Sequence, residues 1–227
     1  METKSYRINA VIAGSLFLIA MAASLIGGSI LEPILSSGNY LATTFTLSPT
    51  IHIGVILDMI NAISVFGIAA ALYPVIKEYK LSVATGYLGF RIIECVVCVL
   101  SVIAPLLIVN LSHDFIRSGI LNSNYYAITG NMLLNFRRLM LDIFLPLFFC
   151  LGALLLYYSM YKIKFLPRFI AIWGFVGVLL IGVLNLMKVD MGIGMIFAFP
   201  IILNEIFMGL WMIVKGFNTN NITSKRN

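Results

Sequence analysis

Six apolar runs, each long enough to cross a bilayer as a helix, decide most of what this chain can fold into. A helix rises about 1.5 Å per residue, so roughly 20 apolar residues match the hydrocarbon thickness of a membrane. The runs are Ile8–Leu31, Ile51–Ile76, Ser82–Leu111, an element that starts between Tyr125 and Leu139 and ends at Tyr161, Phe169–Met187, and Gly192–Val214. Composition points the same way, with 61% hydrophobic and 11% charged residues among 227. A soluble domain carries about 25% charged residues and cannot hide such an apolar excess. The expectation is an all-α fold: one transmembrane bundle of six helices over residues 1–217, then a polar tail over 218–227.

Lys4, Arg7 and the Ala20-Met21-Ala22 triplet resemble the flanks of a signal peptide. The apolar stretch continues past Ala22 to Leu31, however, which is too long for a cleavable core, so a retained helix is expected. Orientation follows from the basic residues of the short loops. With the N-terminus inside, Lys4, Arg7, Lys77, Lys80, Lys162, Lys164, Arg168, Lys215, Lys225 and Arg226 are cytoplasmic. Arg117, Arg137, Arg138 and Lys188 are outside, and Arg91 is in the membrane. That bias predicts cytoplasmic termini. The +6 net charge is spread in pairs between apolar runs, which is a topology signal and excludes a nucleic-acid-binding stripe.

Glu32–Thr50 reads as an irregular outer cap, and Ser112–Gly130 as a second outer loop with a short interfacial helix around Phe115–Leu121. Lys77–Lys80 and Lys162–Arg168 read as tight inner turns. Small residues such as Gly14, Gly86, Gly152 and Gly174 mark surfaces where helices approach closely in lipid.

Within the apolar runs stand Asp58, Arg91, Glu94, Asp142 and Glu205. A charge at membrane depth costs about 2.5–3.5 kcal/mol on insertion scales, so each needs a partner. Counting residues from the helix ends puts Asp58 ~10 Å below the outer face. The same count puts Arg91 and Glu205 ~13 Å, and Glu94 ~18 Å, above the inner face. Arg91 is thereby matched with Glu205, and Glu94 with Asp58. Asn61 and Asn204 supply further hydrogen bonds, and Asp142 falls at the outer interface beside Arg137 and Arg138. One arginine faces an excess of acids, so a proton or a cation should complete the group. These six residues (Arg91, Glu94, Asp58, Glu205, Asn61 and Asn204) form the candidate intramembrane site.

Other chemistry is thinly represented. Cys95 and Cys98 match a C-x-x-C spacing, but in mid-membrane they read as packing residues. His52 and His113, both near the outer face, make no zinc pattern. No phosphate loop, serine elbow or cofactor motif is present in the sequence, so no metal and no cofactor is expected.

Four segments together resemble one family. They are Arg7-Ile8-x-x-x-Ile12-Ala13-Gly14, Tyr87-x-x-x-Arg91-x-x-Glu94, the Phe165-Leu166-Pro167-Arg168 turn, and Asn204-Glu205-x-x-x-Gly209-Leu210-Trp211-x-x-x-Lys215-Gly216-Phe217. In order and spacing they resemble the bacterial six-helix membrane proteins known as domain of unknown function 4386. The resemblance implies about six helices and a place in the bacterial inner membrane, and it implies no activity. Members often carry His-Asp where this chain has Arg138-Leu139, so chemistry resting on that histidine does not carry over.

Three readings of function stay open. The first is a transport-like or ion- and proton-responsive protein, with the lipid bilayer and a small solute, proton or cation as partners. The second is a structural or protective membrane protein whose buried charges only fix helix packing. The third is an intramembrane enzyme, for which no nucleophile or metal motif speaks.

Overall fold

A computed structural model describes residues 2–118, 123–186 and 191–218, with side chains described outside 2–4, 123, 186 and 191–198. Among the described residues every regular element is helical. The elements are α1 (Glu2–Leu35), α2 (Tyr40–Thr46), α3 (Ser48–Lys77), α4 (Leu81–Arg117), α5 (Ser123–Leu139), α6 (Leu145–Ile163), α7 (Arg168–Leu186) and α8 (Met191–Val214). A π-helical turn, Met140–Phe144, joins α5 to α6. Among the described residues five stretches are long and apolar enough to cross a membrane: Ser5–Leu35, Ser48–Lys77, Leu81–Arg117, Asn124–Ile163 and Arg168–Asn185. In α8 the part whose side chains are described, Phe199–Val214, is apolar as well. The expected Lys188, Lys225 and Arg226, and the Leu121 end of the proposed interfacial helix, lie outside the described residues.

The packing order makes a closed ring. α1 packs on α3, α3 on α4, α4 on α6, α6 on α7, α7 on α8, and α8 back on α1. Outward, the helices present unbroken apolar stripes, such as Ile53, Ile56, Ile60 and Ile63 on α3, all exposed. Their spacing of three and four residues is one helix face, and here that face meets lipid. Inward, one buried cluster occupies the end where the chain begins and α8 finishes, built on Tyr87, Leu156, Tyr157, Met160 and Met212. A second, on Leu31, Ile51, Val102, Ile108 and Leu134, fills the opposite end beneath α2 and α5.

Three sequence expectations need correction. The segment 32–50 is not an irregular cap, because α1 continues through Pro33 to Leu35 and α3 already begins at Ser48. Pro49 falls in the first turn of α3, where a missing N–H has no intrahelical partner to lose. Between them only a short turn precedes α2, and the hydroxyls of Ser36 and Ser37 donate to the Glu32 and Ile34 carbonyls at the end of α1. The second outer loop shrinks in the same way, since Phe115–Arg117 is the last turn of α4 and α5 begins at Ser123, before the expected bracket.

The ring is closed by the two chain ends. The Arg7 guanidinium of α1 donates to the Met212, Ile213 and Val214 carbonyls, the last of them exposed acceptors of α8. Gly216 completes that cap with φ +74, a left-handed conformation that favours glycine, and its N–H donates to the Trp211 and Met212 carbonyls. Farther along, Gly14 and Gly209 let the α1 and α8 backbones touch. A Cβ on Gly14 would meet the Gly209 carbonyl oxygen at 2.5 Å. Gly14→Val should therefore lower the unfolding free energy by about 1–3 kcal/mol, the range for overpacking a tight contact. Gly28→Ala, at a site with open space around it, should cost nothing measurable in the same micellar denaturation experiment.

Candidate functional site

The charged residues of the bundle fall into two groups, and prolines explain one of them. A proline inside a helix has no N–H for the carbonyl four residues earlier. In α4, Pro105 leaves the Ser101 carbonyl without its usual donor, and the Arg137 Nη1 of α5 supplies one at 3.1 Å. Arg137 Nη2 then reaches Asp58 Oδ2 of α3, also at 3.1 Å. Its Nε stands 3.7 Å from Glu32 Oε1 of α1, an ion pair too long for a hydrogen bond. Pro146 acts likewise, freeing the Asp142 carbonyl within the π-helical turn, and Asn185 Nδ2 of α7 donates to it at 2.8 Å. Each broken intrahelical bond is thus converted into a bond between helices.

This overturns the expected pairing of Asp58 with Glu94. Arg137, expected among the outer basic residues, is buried at 4% exposure, because α5 and α6 run nearly without interruption and carry it into the bundle. The legible signal was Pro105. A proline in a spanning run frees a carbonyl at a known position, and a donor from another helix has to meet it.

The second group lies at mid-depth in the ring. Tyr87, Arg91 and Glu94 follow one another at four and three residues, so they form one inward stripe of α4. Arg91 Nη1 donates to both Glu94 carboxylate oxygens at 2.9 Å, and both side chains are buried. The guanidinium also lies over the rings of Tyr87 and of Phe149 on α6, 5.8 and 5.6 Å from their centroids. Its Nε and the Tyr87 hydroxyl have no hydrogen-bond partner among the described residues.

A cavity of about 390 Å³ adjoins this pair, and all six helices of the ring contribute to its wall. Its polar groups are Arg91, Glu94, Asn61, Ser24 and Glu205, set among apolar side chains such as Phe17, Val65, Phe149 and Ile201. The ring therefore brings Arg91, Glu94, Asn61 and Glu205 of the expected site to one space. Glu205 does not ion-pair with Arg91, whose bonded partner is its own helix neighbour Glu94. Among the described residues Glu205 has no hydrogen bond or ion pair. Asn61 makes only a long contact from its amide to the Cys98 sulfur, 3.9 Å.

Asn204 belongs elsewhere. Its Oδ1 accepts from the Tyr157 hydroxyl at 2.8 Å and its Nδ2 donates to the Ile170 carbonyl at 3.0 Å. One buried amide so ties α6, α7 and α8 together, and its helical neighbour Glu205 turns into the cavity.

A family model described as domain of unknown function (DUF4386) matches residues 12–216. No curated protein and no solved structure matches the chain.

The Asp58–Arg137 pair generates a stability prediction. Arg137→Ala leaves a largely buried carboxylate without its cation, and should destabilise by about 3–5 kcal/mol in thermal or denaturant unfolding. The double change Arg137→Met with Asp58→Leu should recover most of that loss, because the strain comes from the stranded charge.

Proposed function

The chain belongs to the DUF4386 family, and we propose that its working site is the central cavity, where Glu205 takes up a proton or a small cation opposite the Arg91–Glu94 pair. One observation carries this reading. The cavity is bordered by one guanidinium and two carboxyls, and the guanidinium is bonded to Glu94 alone. Glu205 is left as the acid that a guest completes. Apolar walls from six different helices allow the space to change shape as those helices move.

A purely structural reading fits the other charges better than these. Asp58–Arg137 joins two helices and so fixes their register, as buried pairs in membrane bundles do. Arg91–Glu94 lies within one helix and joins nothing by itself. A device for holding the bundle together has no use for the lone Glu205.

The proposal includes six spans with both termini on the cytoplasmic side of the bacterial inner membrane. Arg7 meeting the end of α8 supports an even number of crossings. Burial of Arg137 leaves fewer basic residues outside, which strengthens the charge bias toward that orientation.

Reconstituted vesicles carrying a pH-sensitive dye and an imposed membrane potential test the site. The wild-type protein should pass protons, sodium or a small organic ammonium faster than empty vesicles. Glu205→Gln should lower that flux at least about tenfold, the factor for losing roughly 1.4 kcal/mol of site affinity. Its unfolding temperature should stay at the wild-type value. Equal flux from the Gln variant and the wild type, or wild-type flux no higher than empty vesicles for all three ions, contradicts the proposal.

A further inference from the structure

The central cavity is much larger than a proton or a bare inorganic ion requires. A buried water needs about 10–15 Å³ of such space. This cavity offers about 390 Å³. Pockets of about 300–1,000 Å³ with mostly apolar walls and a few placed polar groups bury drug-sized organic ligands. The wall fits that description. Phe17, Met21, Val65, Phe149, Ile181 and Ile201 bring apolar surface to it from α1, α3, α6, α7 and α8.

The polar groups suit an organic cation better than an inorganic one. A hard cation that leaves water needs several oxygens at once to replace its hydration shell. Among the described residues the side-chain oxygens on the wall belong to Ser24, Asn61, Glu94 and Glu205. Both Glu94 oxygens already accept from Arg91 at 2.9 Å, so that pair carries no net charge toward a guest. An organic ammonium spreads its charge over its substituents. It needs one carboxylate for the charge and apolar surface for the rest.

The position of the wall points to the bilayer as the source of the guest. Leu25 of α1 lines the cavity and is also 56% exposed. One side chain therefore stands between the cavity and the outer surface of the ring. Leu25 lies ~15 Å along the helix from its Leu35 end, at a depth where that surface meets hydrocarbon. A cation with enough apolar surface to dissolve in lipid reaches the cavity by displacing Leu25 alone.

Taking this cavity as the working site, we infer that its guest is a lipophilic monovalent cation, an ammonium or phosphonium carrying aromatic or alkyl groups. Glu205 meets its charge, and Phe17, Val65 and Ile201 meet its body.

The test is binding of labelled tetraphenylphosphonium to the full chain in neutral detergent, measured against the same detergent without protein. Binding to the wild-type protein should saturate. Tetrapropylammonium should displace the label at a concentration at least about tenfold lower than tetramethylammonium, because each added CH₂ gains from the apolar wall. Sodium at the same ionic strength should leave the label in place. Glu205→Gln should weaken half-saturation at least about tenfold. The ammonium series uses wild-type protein alone and decides the matter should that variant fail to fold. Equal displacement by the two ammonium ions, displacement by sodium, or unchanged binding in the folded Gln variant would overturn the inference. Glu205-dependent flux of protons or sodium without saturable tetraphenylphosphonium binding would overturn it too, and would leave the cation site itself standing. Loss of both the flux and the binding would overturn the two together.

Discussion

In a bilayer a polar group cannot turn to water for its missing hydrogen bond, and this single constraint organises the bundle. The helices satisfy their own backbones except where prolines and helix ends interrupt them. Those interruptions are where the helices are joined. Ser101, opposite Pro105, receives Arg137; Asp142, opposite Pro146, receives Asn185; and the end of α8 receives Arg7. Gly14 and Gly209 add a close backbone crossing where no side chain intervenes. A ring held at such points can leave its middle less tightly filled, and that is where the 390 Å³ cavity lies.

The same constraint separates structural charge from site charge. Arg137 contacts groups on three other helices, and its neighbours Asp58 and Ser101 are satisfied in the process. Arg91 keeps to its own helix for its ion pair, resting on aromatic rings from α4 and α6. Glu205, on the opposite side of the ring from α4, shares the cavity with that pair without bonding to it. The two groups differ in position too. The Arg137 group adjoins the cluster beneath α2 and α5, which holds Val102 and Leu134, whereas Tyr87 of the Arg91 group belongs to the other cluster.

Much of this was legible in the sequence. Helical class, the apolar runs and the inward stripe of Tyr87, Arg91 and Glu94 follow from length, hydropathy and spacing alone. Depth arithmetic placed Glu205 at the level of Arg91, and the cavity does hold both. The arithmetic failed for Asp58 because depth says nothing about rotation around a helix axis or about which helices are neighbours. It also counts Arg137 with the outer basic residues and leaves the start of the fourth run open between Tyr125 and Leu139, since polar residues such as Asn124, Asn131 and Asn135 dilute the apolar signal of α5. Asn204 was misplaced for a related reason. It adjoins Glu205 in sequence, but adjacent residues on a helix point about 100° apart, so one faces α6 and α7 and the other the cavity.

The central claim is that the mid-depth cavity, apolar over most of its wall, holds in Glu205 an acid without an ion-pair partner that small cations can reach. Ser24 lines that cavity and carries no charge. Ser24→Cys, in a chain whose Cys95, Cys98 and Cys150 are replaced by serine or alanine, makes it a chemical probe. The rate of its modification by a cationic thiosulfonate relative to an anionic one is the measurement that tests the claim most directly. The account predicts a clear preference for the cationic reagent, lost when Glu205→Gln is added. Equal rates for the two reagents, or a preference that survives Glu205→Gln, would contradict it.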